Sequence, residues 1–150
     1  LLRFRLQHWT DEGTLLQEFT RDPEWFPRQT ETGIDPVEGP RPRIAEISYD
    51  PAANVLWVAT TVAREDWADA PTRADLFGPI GQPSIDDYID LNSAYETVIE
   101  AIDPETGEVL GGARIDARLK GISRGNFAFA ESRSPGGRPV VRIWRLELER

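Results

Sequence analysis

Two segments of this chain repeat one turn pattern: Asp50-Pro51-Ala52-Ala53-Asn54 and Asp103-Pro104-Glu105-Thr106-Gly107. Pro presets φ at the second turn position, the preceding Asp accepts backbone N–H bonds, and Asn or Gly closes the turn in the left-handed region. A chain that reverses in this way between β-branched and aromatic runs folds as antiparallel hairpins. The spacing predicts strands over 44–49 and 55–62 around the first turn, and over 95–102 and 108–115 around the second.

The rest of the chain carries the same signature. Leu2, Phe4 and Leu6 alternate with Arg3, Arg5 and Gln7, the period of a strand with one apolar face over 1–9. Thr10-Asp11-Glu12-Gly13 then reads as a turn, and Leu15, Leu16 and Phe19 resume an extended pattern. Val55-Leu56-Trp57-Val58-Ala59 is apolar on both faces, as expected of a central strand covered on two sides, with Trp57 buried. Strands over 126–131 and 139–148 flank Ser134-Pro135-Gly136-Gly137, and 119–123 can add a short inner strand. Val141 and Ile143 share one face of 139–148 while Trp144, Leu146 and Leu148 share the other. That strand is therefore expected to be buried on both sides, Trp144 included.

Tight turns near 10–13, 50–54 and 103–107 alternate with long stretches at 20–43 and 63–94. Alternate connections of an antiparallel meander lie at the same end of the strands, so the long stretches are expected on one rim and the tight turns on the other. Long connections in compact domains more often serve function than short ones do.

Composition narrows the function classes. The formal net charge of −9 opposes binding to a nucleic-acid backbone or an anionic membrane surface. With no Cys there is no disulfide, thiol nucleophile or cysteine-ligated metal, and one His, His8, excludes a His-rich zinc site within the chain. No cofactor or resident metal is expected. No apolar run reaches the length of a membrane span. The chain begins at Leu1 inside a strand-like pattern and contains no Met, so it reads as a piece of a longer protein.

The order of hairpin, long loop, four-strand meander and further hairpin, with Asp50-x4-Val55-Leu56-Trp57-Val58 and Ile102-Asp103-Pro104-Glu105-Thr106-Gly107-Glu108-Val109-Leu110, resembles bacterial six-bladed β-propellers of the NHL/TolB-like kind. The resemblance implies an all-β fold of antiparallel four-stranded meander blades, about two of them, from the C-terminal part of a ring. Residues 1–20 would end one blade, 44–115 would form a complete blade with an insertion at 63–94, and 119–150 would belong to a last blade. It also implies the remaining blades as partners and a periplasmic or extracellular location. A self-contained small β-sandwich is the alternative fold.

Functional candidates gather on the presumed long-loop rim. Trp25, Phe26, Trp67 and Tyr88 are aromatic, and Arg28 and Arg64 are basic. Asp66, Asp86, Asp87 and Asp90 belong to an acidic stretch whose spacing matches no EF-hand. Ser84-Ile85-Asp86-Asp87 instead fits the start of a short helix. These side chains suit an unknown protein, peptide or carbohydrate partner through stacking and ion pairs, or they pin long loops to the sheet beneath. His8 lies beside a tight turn, and no catalytic triad or phosphate loop is legible. The expectation is a non-catalytic binding or scaffold module. The alternative is part of a six-bladed propeller lyase or hydrolase whose catalytic residues lie in other blades.

Overall fold

The computed structural model describes residues 3–27, 34–35, 39–70, 90–134 and 136–149. The protein is all-β, and every described strand pairs antiparallel. β1 (Phe4–Trp9) and β2 (Leu15–Arg21) form a hairpin, and β3 (Ile34–Asp35) pairs with β4 (Gly39–Pro40). β5 (Arg43–Asp50), β6 (Val55–Ala63), β7 (Tyr95–Ile102) and β8 (Val109–Ile115) make a four-stranded meander in sequence order. β9 (Gly121–Ser123), β10 (Phe127–Arg133) and β11 (Pro139–Arg145) make a three-stranded one. The described helix is one turn, α1 (Leu91–Ala94), apart from a 3-10 turn at Trp67–Asp69. No helix among the described residues is long and apolar enough to cross a membrane.

Register sorts the central sheet into two faces. Trp57 pairs with Ala101 and Ala59 with Ile99, while Leu56 pairs with Ile102 and Val58 with Glu100. Opposed residues share a face, so each strand presents alternate side chains to two different neighbours. Val55, Trp57, Ala59, Ile99 and Ala101 pack with Ile115, Ala117, Leu119, Ala128 and Ala130, which joins the central sheet to β9–β11. On the other face Val58 and Ile102 pack with Phe4, Leu6 and Phe26 from the N-terminal region. Burying each large aliphatic or aromatic side chain contributes about 1.5–3 kcal/mol, and β6 and β7 collect such burial from both sides.

The face toward β1–β2 is not wholly apolar. Glu100 is buried there and meets Arg21 Nη2 at 2.5 Å, while the Arg21 guanidinium also lies 4.6 Å from the centre of the Phe4 ring. Removing either partner would strand a charge between two sheets, at a cost of about 3 kcal/mol.

Both Asp-Pro turns form as expected. Asp50 Oδ1 accepts from the amides of Ala52 (2.9 Å) and Ala53 (3.3 Å), and Asp103 Oδ1 from those of Glu105 (2.7 Å) and Thr106 (3.0 Å). Asn54 and Gly107 end these turns at φ 52° and 75°. Trp57 is buried, as expected.

The C-terminal strand departs from expectation. It stops at Arg145 rather than running to 148, and Val141 and Ile143 are 59% and 65% exposed. Trp144 is only partly buried, against the core shared with the central sheet. The reason is position: among the described residues β11 is an edge strand paired with β10 alone, and its inner face is the one packed against the central sheet. Hydrophobic alternation on both faces does not by itself supply the second neighbour.

Candidate functional site

The two ends of the sheets differ. The turns near 10–13, 50–54 and 103–107 gather at one end, where Gln17 Nε2 in β2 donates to the carbonyl of Glu105 and Asn126 Nδ2 donates to Asp50 Oδ2 at 2.5 Å, whereas the β10–β11 connection lies at the other end. At the opposite end the described parts of 20–43 and 63–94 touch, because Gly39 in β4 lies under the Trp67 indole. A Cβ added at Gly39 would collide with the Trp67 indole, and its φ of +91° also favours glycine.

This second end holds a cleft of about 820 Å³ between the loop ends of the central sheet and β10–β11. Arg64, Asp66 and Asp90 of the sequence candidates line it, on the stretches that leave β6 and enter β7. Arg64 Nε donates to Asp66 Oδ1 at 2.9 Å, and Arg64 Nη1 donates to Asp116 Oδ1. That first bond is the main cause of an Asp66 carboxyl held below its ordinary value. Asp90 caps α1, accepting from the Asn92 amide at 3.1 Å and from Ser93 Oγ at 2.7 Å.

The facing wall was not singled out from the sequence. Asp116 and Arg118 come from the connection between β8 and β9, and Arg142 from β11. Thr97 fixes that connection: its buried hydroxyl donates to Ala117 O at 2.8 Å and accepts from the Leu119 amide at 3.0 Å. Ile115, Ala117 and Leu119 are thereby buried, and Asp116 and Arg118 fall on the opposite side of the strand-like run. The signal was present as strict alternation in Ile115-Asp116-Ala117-Arg118-Leu119-Lys120. Arg142 Nη2 completes the wall by donating to Asp116 O at 3.1 Å.

Trp25, Phe26 and Trp67 are not among the side chains lining the cleft. Trp25 and Phe26 meet Phe4 edge to face, with ring centroids 5.7 Å apart in both cases, and Phe26 is buried in the core under β1–β2. Trp67 is half-buried on Gly39. All three thus hold a connecting segment against a sheet. Arg28, Asp86, Asp87 and Tyr88 lie outside the described residues, as does the expected helix start at Ser84. Among the described residues no three acidic or histidine side chains cluster closely enough to hold a metal ion.

Compared with models of known protein families, with curated proteins and with solved structures, the chain matches none.

Proposed function

We propose that this chain is a non-catalytic binding or scaffold module, that its stacked meanders are blades of a larger β-propeller, and that recognition takes place at the loop-end cleft. The observation that carries the binding reading is the cleft of about 820 Å³, into which separate parts of the chain deliver Arg64, Asp66, Asp90, Asp116, Arg118 and Arg142. Charged walls of both signs orient a polar partner, and such a concavity is the usual setting for a ligand or peptide. The blade reading is supported by the β1–β2 hairpin and the β9–β11 meander, which pack on opposite faces of the four-stranded sheet.

Selection of a random peptide library on the immobilised 150-residue chain tests the binding reading. Selected peptides are expected to bind the Arg118→Ala/Arg142→Ala variant about tenfold more weakly, at an unchanged melting temperature. Selected peptides that all bind this variant as tightly as the parent would place recognition elsewhere.

A further inference from the structure

β11 is an edge of a particular kind. It pairs with β10 over seven residue pairs without a break, from Phe127↔Arg145 to Arg133↔Pro139. The pairings of β1, β5 and β8 each contain a register shift, the irregularity that commonly blunts an edge against added strands. Among the described residues no strand pairs with the outer edge of β11. Val140, Val141 and Ile143 are 38%, 59% and 65% exposed, so a row of unpaired peptide groups stands beside uncovered apolar side chains.

Pro139, Val140, Val141 and Arg142 of this strand also line the cleft. The free edge and the cleft therefore form one surface. We infer that the ligand of this surface is an extended peptide from another protein that adds to β11 as a fourth antiparallel strand and carries alternating apolar and acidic residues. This inference rests on the cleft as the recognition surface.

The alternation follows from β11 itself. Val141 and Ile143 lie on the outer face, while Arg142 lies on the inner face beside Trp144, its guanidinium 5.4 Å from the indole centre. A neighbouring strand places every second residue on each face, so apolar residues meet Val141 and Ile143 while the intervening ones meet Arg142. Charge selects acids for the intervening set: Arg138 and Arg142 have the inner-face parity, while Arg145, of the outer-face parity, is already paired with Glu147 at 2.8 Å. The chain as a whole is acidic, at −9, and Asp66, Asp90 and Asp116 line the same cleft, but Arg64 engages Asp66 and Asp116 and Asp90 caps α1, while a Debye length of about 8 Å at physiological salt screens more distant carboxylates. A second copy of β11 suits the edge less well. Antiparallel pairing about Arg142 would set the two Arg142 side chains directly opposite each other.

The probe is a capped heptapeptide of alternating Glu and Val, titrated into the 150-residue chain and read by calorimetry or fluorescence anisotropy. Saturable binding is expected, weakened about tenfold when Lys replaces Glu, and similarly by Val141→Lys/Ile143→Lys, whose positions are too exposed to threaten folding. Two further peptides, N-methylated on alternate residues in the two possible registers, test the backbone pairing, and one of them is expected to lose binding. Failure of the parent peptide to bind, equal binding of the Lys peptide, or full binding by both methylated peptides would overturn the inference. So would a stable dimer dispersed by Val141→Lys/Ile143→Lys, because a second copy would then occupy the edge. The cleft reading is tested separately: library peptides that depend on Arg118 and Arg142 yet tolerate both methylation patterns would leave it standing while overturning the strand addition.

Discussion

The turn end and the loop end of this protein use charged side chains in opposite ways. At the turn end Asp50 and Asp103 are turned inward on their own backbone, and Asn126 ties one turn to the next. At the loop end Arg64, Asp116 and Arg142 reach between segments far apart in sequence and border a cleft. One end forms its turns from hydrogen bonds within five residues and adds only the Asn126 and Gln17 ties between turns. The other relies on a buried hydroxyl, that of Thr97, to hold a cleft wall in place. Local completion leaves little surface chemistry for a partner, whereas long-range completion exposes several charges in a fixed arrangement.

Thr97→Val should produce the largest effect on this contrast. The substitution keeps the shape but leaves the Ala117 carbonyl and Leu119 amide without their partner in a buried site, which costs about 2–3 kcal/mol. Denaturant unfolding reads the loss, and amide exchange is expected to rise at 116–120 while the turns at 50–54 and 103–107 keep their protection. A uniform rise at both ends would erase the distinction.

Two glycines sharpen it. Gly107 at the turn end underlies Phe19, where a Cβ would collide with the ring, as Gly39 at the loop end underlies Trp67. Phe19 is held within the hairpin strand β2, whereas Trp67 sits in a single 3-10 turn that can give way. Gly107→Ala is therefore expected to cost about 2 kcal/mol and Gly39→Ala about 1 kcal/mol, each including the left-handed backbone penalty. Equal costs would mean that the loop end is packed as rigidly as the turn end.

The turn end was more legible in the sequence than the loop end, for a physical reason. Asp-Pro turns and strand alternation are local, so Asp50, Asp103 and the strands beside them followed from neighbouring residues. Two-sided burial of Val55–Ala59 was also readable, because a strand without polar residues has to be covered on both faces. The same argument misplaced β11: its apolar content resembles that of β6, and only sheet order distinguishes an edge from a centre. Of the cleft, Arg64, Asp66 and Asp90 were found through their long connections, but Asp116, Arg118 and Arg142 join them only by tertiary packing. Trp25 and Phe26 stood out as aromatic candidates, and the structure sets them against Phe4 beneath the N-terminal hairpin.

Acid gives the smallest expected effect. The Asn126 side-chain amide leads the causes that hold Asp50 below its ordinary value of 3.8, and the amides of Glu105 and Thr106 do the same for Asp103. A depressed carboxylate stabilises the folded state fully above the unfolded value, and the contribution is lost as pH falls through the lower folded value. Melting temperature should therefore begin to fall below about pH 4, and Asp50→Asn should flatten that decline. An identical decline in this variant would remove Asp50 from the account.

Mapping of amide chemical-shift changes on the ¹⁵N-labelled chain, during titration with a library-selected peptide, tests the central claim most directly. The account predicts changes at Arg64, Asp116, Arg118 and along Val140–Ile143, with Ala52, Ala53, Glu105 and Thr106 unmoved. Changes concentrated at the turn end, with the cleft residues unmoved, would contradict it.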